Sequence, residues 1–440
     1  MKIFMNILFI IMIIMMSMGC GKEPMPSPCK LPDCRDTIKW VFKQPDSLGV
    51  LPILWYKVAH APDTSGSHQW CFATDEGVLL VNQIEDGSNK PYIRLLDRTT
   101  GQQLWYWDRM PVEHYTDIQY LPERKMIMVK NYNYDAILDV NTGKEILYAK
   151  EPAELRYKST KGAVIGEYYY TSVYEENDNP KEGQDYARLI RTRLGDGVNW
   201  ETILTRTEDE VSGYSPYFYN IKPWVHPQSK DTIILINNRM YHWERYHDGY
   251  PFNTLQRVDL VAYNLTKDKV EWTIDSICKT SSIRDPFQIV GDKMFFQGDK
   301  CFYLDLSDSG KVIWINPTVV FNTEMYDSGN KSLIGFHDKL FSIDQNSGVI
   351  KWTTTFEYSI EAVGMELFEG YLYFVYPNGD LYVINATTGK IVFQEFSGRM
   401  LPGRSILGMR GRASVDREHR LLYCSDLWGT YCLKLPERWE

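Results

Sequence analysis

His242, Glu244, His247 and Asp248 gather near the middle of the chain. Imidazole and carboxylate are donors that zinc and similar ions take, but this spacing matches no standard ligand set. A solvated loop is the better reading, and no metal is expected. The sequence also has no Gly-x-Ser-x-Gly, no Gly-x-x-x-x-Gly-Lys-Ser/Thr and no His-Glu-x-x-His, so no catalytic constellation presents itself. Aromatic residues offer a different chemistry. Tyr214, Tyr217, Phe218, Tyr219 and Trp224 fall in one stretch, and Tyr241, Trp243, Tyr246, Tyr250 and Phe252 in the next. Rings on long loops over a rigid scaffold suit glycan stacking or peptide docking. The alternative is that they pack on one another as a lid. A third candidate is basic: Arg399, Arg404, Arg410 and Arg412 interrupt an acidic chain, and either receive an anion or pair with nearby carboxylates.

These residues must be held by a repeated unit. Asp344, Gly348 and Trp352 are spaced four and four, as are Asp97, Gly101 and Trp105, and Asn385, Gly389 and Phe393. Asp139, Gly143 and Leu147 keep the spacing with an aliphatic last residue. Three worn copies end at Trp200, at Trp272 (with Asp268 in place of Gly) and at Trp314 (after Gly310, with one extra residue). The steps from Gly101 to Gly143, Gly310 to Gly348 and Gly348 to Gly389 are 42, 38 and 41 residues. A period near 40 means a repeat architecture.

The unit explains itself physically. A run rich in β-branched and aromatic residues ends at Asp or Asn, whose side chain accepts backbone N–H groups, and Gly supplies the positive φ of a short hairpin loop. The next strand begins at once. Its large ring, burying on the order of 200 Å², fills the gap to a neighbouring sheet. Small sheets with one apolar face too many stack around an axis, which predicts an all-β, eight-bladed β-propeller of four-stranded antiparallel blades. Seven blades is the alternative. Thr37–Phe42 reads as a fourth strand with no first three before it, so this N-terminal strand is expected to complete the last blade beside Arg420–Leu435.

Asp97-Arg-Thr-Thr-Gly-Gln-Gln-Leu-Trp105 resembles the repeat of the PQQ-like, or quinoprotein-dehydrogenase-like, β-propellers, and the likeness spans residues 37–440. That resemblance implies either of two activities. Quinoproteins hold PQQ and calcium in a central funnel, often under a disulfide between adjacent cysteines, and this chain has no Cys-Cys pair. The lipid-anchored, BamB-like members of the outer-membrane β-barrel assembly machinery bind proteins. The second branch is the closer one, which implies a non-catalytic platform without a cofactor, monomeric on its own, that takes a protein or glycan partner.

The start of the chain supports an envelope location. Met1 to Met16 form a basic and then apolar export signal, too short for an ordinary membrane span. Ser17-Met-Gly-Cys20 resembles a bacterial lipobox, so 1–19 is expected to be a lipoprotein signal peptide, Cys20 the lipidated residue, and 20–36 a proline-rich tether to the outer membrane. The chain of 440 residues carries a net charge of −9, which excludes nucleic acid as the general partner. Eight cysteines in an exported chain permit disulfides. Cys424 and Cys432 across a hairpin, and Cys29 with Cys34, are the candidate pairs, while Cys71, Cys278 and Cys301 read equally well as buried thiols.

By strand parity three inserts should share one face: 175–185, 207–226 and 238–256. The arginine run belongs to that face too.

Overall fold

Ser332–Phe336 and Leu421–Ser425 are buried at every residue, whereas Ile350–Thr355 alternates between exposed and half-buried. The first pattern belongs to strands covered on both faces and the second to an outer edge. The computed structural model describes residues 47–439 apart from 49, 59–68, 84–90, 110–116, 131–133, 151–156, 159–161, 176–185, 198, 208–213, 245–251, 279–286, 322, 357–363, 376–379, 397–412 and 426–428. Eight antiparallel sheets follow one another in these residues. Blades 1 to 7 occupy 69–107, 117–150, 157–207, 214–278, 287–316, 323–355 and 365–396. Blade 8 combines 414–434 with Leu51–Val58. We letter the strands of each blade A to D from inside to outside. The A strands touch in turn: Phe287–Val290 meets Thr323–Asp327, which meets Met365–Phe368, which meets Ser414–Asp416, which meets Gln69–Ala73. The chain is an eight-bladed propeller, as the repeats imply.

One contact recurs at the blade seams. The Trp105 indole N–H donates to Val140 O at 2.8 Å, Trp314 to Gln345 O at 2.8 Å, and Trp352 to Ala386 O at 2.9 Å. Each acceptor follows the turn acid or amide of the next blade, so each of these three rings is pinned to its neighbour's turn. The turn glycine lies under the same ring. A Cβ on Gly143 would stand 2.6 Å from Trp105, on Gly348 2.7 Å from Trp314, and on Gly389 2.6 Å from Trp352. Glycine is required there twice over, by its positive φ of 67–73° and by the lack of room. The acid builds the turn itself: Asp97 Oδ1 accepts from Thr99 N, Thr100 N and Thr100 Oγ1 at 3.0, 2.7 and 2.8 Å, and Gly101 N donates to Asp97 O at 2.9 Å. Asn385 does the same with Thr387 and Thr388. Asp268 holds the glycine's place in blade 4 at φ 54°, a conformation Asp tolerates.

The worn third repeat is reassigned. In all eight blades the pairing of strands C and D slips by one residue just before the ring position. In blade 3 that slip puts Leu204 opposite Leu189, so Leu204 and not Trp200 holds the ring position. Trp200 precedes the strand Glu201–Thr207 and packs back on Tyr169, 6.3 Å between centroids. A tryptophan near a glycine was a misleading signal because the strand starts late.

The ring is closed by an N-terminal strand, but a different one. Leu51–Val58 pairs antiparallel with Gly429–Lys434, with Trp55 opposite Cys432. Trp55 makes the full seam contact: its N–H donates to Arg98 O at 2.8 Å, and a Cβ on Gly101 would lie 2.9 Å from its ring. Arg98 adds an ion pair to Asp416 of blade 8 at 2.6 Å. Pro52 hides this strand from a reading by propensity, yet it is only the strand's second residue, near the start where proline is tolerated, and lies opposite Ser47 of the short flanking strand Ser47–Leu48. Thr37–Phe42 lies outside the described residues.

Cys424 and Cys432 do not pair. Cross-strand register sets Tyr423 against Cys432 and Cys424 against Tyr431, so the two thiols point to opposite faces and sit in different apolar clusters. Both are buried cysteines outside any disulfide, as are Cys71, Cys278 and Cys301. Cys20, Cys29 and Cys34 lie outside the described residues.

Two outcomes follow from the seam. Gly101→Ala should lose about 2–4 kcal/mol in urea unfolding, because a left-handed backbone and a ring overlap add up. Gly166→Ala, also at positive φ (57°) but with nothing near its Cβ, should lose only about 1 kcal/mol; equal losses would remove the seam from the account. The turn hydrogen bonds hold the Asp97 and Asp344 carboxyls below their usual range. A depressed folded-state pKa gives stability that is present above the unfolded value and is lost as pH falls through the folded one. Replacing both by Asn, which Asn385 shows can make the same turn, should flatten the decline in melting temperature below about pH 4. An unchanged decline would show that other groups carry the acid sensitivity.

Candidate binding surface

Seven blades are built from short strands, of 2 to 8 described residues, and blade 4 is not. Its strands Tyr214–Val225, Thr232–Glu244 and Phe252–Asn264 run to 12, 13 and 13 residues. The aromatic stretches read as loops are therefore largely strand. Aromatic-rich runs such as Tyr214-Ser-Pro-Tyr-Phe-Tyr favour the pleat and continue it instead of leaving it. Tyr214 pairs with His242, Tyr241 with Leu255, and Trp243 with Asn253. In an antiparallel meander the end of strand B, the start of A and the B–C hairpin lie at one end of the sheet, so these residues share the B–C end of blade 4.

Two of the expected rings meet a third there. Tyr217 stands 6.2 Å from Tyr219 and 5.7 Å, edge to face, from Tyr174 of blade 3. Arg239, directly across from Tyr217, lays its guanidinium 3.4 Å from the Tyr219 centroid. Ser172 Oγ donates to Phe218 O at 2.6 Å, which ties blade 3 to the start of this strand. Tyr217 and Tyr219 are half-buried, and Tyr174 and Arg239 are buried, so the group is a stiff base with partly open rings. Tyr174 carries a legible signal, the run Tyr168–Glu175 rich in aromatic and β-branched residues. Arg239 has none, because only cross-strand register brings it to Tyr217.

Below the rings a buried acid joins the same two blades. Asp259, fully buried, lies 3.4 Å from the Arg257 Nε and 3.5 Å from Nη1 of Arg206 in blade 3. It also accepts from Ser276 N at 2.9 Å and Asn238 Nδ2 at 3.4 Å. Burial raises its pKa, and the hydrogen bond and the two arginines oppose that.

The other candidates fall elsewhere. Trp224 lies seven residues along the strand from Tyr217, about 23 Å away. It is buried there and donates to Gly291 O of blade 5 at 3.0 Å, so it is a seam residue. Phe218 is core. Tyr246, His247, Asp248, Arg399, Arg404, Arg410 and Arg412 lie outside the described residues. Among the described residues no group of three or more His, Cys, Asp or Glu is placed to hold a metal.

No family model and no curated protein matches this sequence. Solved structures do match in shape. BamB from Moraxella catarrhalis is similar at a TM-score of 0.51 and 10% identity, over 88% of this chain and 99% of that one. A europium-containing methanol dehydrogenase is similar at 0.57 and 11%, over 86% and 85%. Both are PQQ-like β-propeller proteins. Saccharomyces cerevisiae Sqt1 is similar at 0.56 and 10%, over 88% and 99%. The likeness is one of fold. At such identities it carries no activity from one chain to another.

The Asp259 cluster makes a pH-dependent forecast. Arg206→Met leaves the buried acid with less positive charge and should cost about 1–2 kcal/mol at pH 7. Because a raised folded-state pKa favours the folded chain as pH falls toward the ordinary carboxylate range, the deficit should shrink between pH 7 and pH 4. Denaturant titrations at several pH values read this, and a deficit constant with pH would assign the loss to packing alone.

Proposed function

We propose that this chain is a non-catalytic binding platform, anchored to the bacterial outer membrane by lipid on Cys20, that holds a protein partner on the lengthened B–C end of blades 3 and 4. The observation that carries the reading is the doubled strand length in blade 4. In a ring of repeated sheets every blade has the same packing duty, and residues beyond that duty need another reason to be there. Rings backed by a stacked arginine present large, rigid, apolar area at low entropic cost, which is what anchors in protein interfaces do. The export signal and the lipobox-like Ser17-Met-Gly-Cys20 support the anchor.

A photo-crosslinking residue at Tyr241 or Trp243, introduced into the full chain in intact cells, should capture one protein species. The same residue at Arg193, exposed by the C–D turn of blade 3, should not. Equal capture at all three positions defeats the reading. Oligosaccharide binding seen by calorimetry, and lost in Trp243→Ala, would replace the protein partner with a glycan. The anchor has its own readout: labelled fatty acid should enter the wild-type chain and not Cys20→Ala, and label in neither would remove it.

A further inference from the structure

Blades 1 to 7 each join strands C and D by a turn, and blade 8 cannot, because its fourth strand is Leu51–Val58 from the other end of the chain. Phe393, the strand-D ring of blade 7, therefore faces a blade with no turn to receive it. Past Lys434, however, the chain follows the path that a turn takes. In other blades the residue after the turn acid or amide, buried at Val140 and Ala386 and half-buried at Gln345, donates its N–H to a carbonyl at the A–B corner: Val140 to Lys125 at 2.9 Å, Gln345 to Lys331 at 3.0 Å, Ala386 to Gly370 at 2.8 Å. Leu435, buried, donates in the same way to Arg420 O at 2.9 Å. Four residues later Trp439 arrives 5.1 Å from the Phe393 ring, and its indole N–H donates to Tyr373 Oη of blade 7 at 2.9 Å. Arg420 fixes the path between them. It donates to Pro436 O at 2.5 Å and Glu437 O at 3.2 Å, pairs with Glu369, and lies over the Phe368 ring at 5.4 Å.

We infer that Pro436–Trp439 is a latch that takes the place of the eighth turn and holds the ring shut between blades 7 and 8. The clasp runs in reverse here. At four other seams an indole on strand D reaches forward to the next blade's backbone, whereas Phe393 has no N–H to give, so the latch supplies the indole and reaches back. Burial pushes the Tyr373 phenol up to about 12, so the acceptor stays neutral at physiological pH.

Hydrogen exchange of the full chain tests this with Trp439→Ala and Trp439→Phe. In the alanine variant the amides of Tyr371–Val375, Ile391–Phe396 and Leu421–Ser425 should exchange at least about tenfold faster, while those at the seam of blades 5 and 6 keep their rates. The melting temperature should fall by roughly 3–8 °C. The phenylalanine variant, which keeps a ring but no N–H, should show the same local pattern at smaller size, and it decides the matter if the alanine variant does not fold. Faster exchange spread evenly around the ring, or confined to 436–439, would overturn the latch.

Discussion

An indole resting on its neighbour's glycine is the contact on which the ring depends. Each blade is a small sheet whose strands would satisfy their own hydrogen bonds in isolation, so nothing within a blade dictates how the next one sits. The seam does. The ring of one sheet covers the turn of the next, and its single N–H finds a carbonyl that the turn leaves free. A net hydrogen bond of about 1 kcal/mol and a ring's worth of buried area recur around the circle. The N–H adds direction, which apolar burial alone lacks, since it fixes the rotation of one blade on the next.

This explains which substitutions the repeats have accepted. Leu147 and Phe393 keep the apolar cover and give up the N–H. Gly197, with φ 70°, still packs against Leu147, where a Cβ would come within 3.2 Å of the side chain. Cover is thus the term that cannot be lost, and direction can be spared at some seams. Where the seam is also the point of closure, direction returns from both sides: Trp55 clasps blade 1, and Trp439 clasps blade 7. A closed ring is only as tight as its joint, and that joint lies inside blade 8, where Leu51–Val58 pairs with Gly429–Lys434 more than 370 residues away in sequence.

Most of the ring was legible because the turn is local chemistry. Asp or Asn, then Gly at the fourth place, then a large ring are all within nine residues, and each has a physical reason that needs no partner. What stayed hidden involved distance or register. Trp55 could not be told from Trp40, since both are rings in short apolar runs and only pairing with Gly429–Lys434 distinguishes them. Trp200 resembles a seam ring because nothing local marks the late start of Glu201–Thr207, which puts Leu204 in that position. Cys424 and Cys432 illustrate the same limit: their spacing permits a hairpin pair, and the register, by sending alternate residues to opposite faces, forbids it.

The aromatic stretches were misread for an informative reason. Long inserts between repeats are ordinarily loops, yet Tyr214–Val225 and Thr232–Glu244 continue as paired strand well past the length of the strands in the other blades. A loop that floats can rearrange around whatever it meets. A strand that continues the blade inherits the blade's stiffness, and Arg239 on Tyr219 and Ser172 on the Phe218 carbonyl extend that stiffness to the rings. A surface ordered before it meets its partner loses little entropy on binding, and so a modest area suffices. Among the described residues, the departure from eightfold repetition in blade 4 is therefore a place where a blade's stiffness extends past its packing duty, which suits the proposed contact.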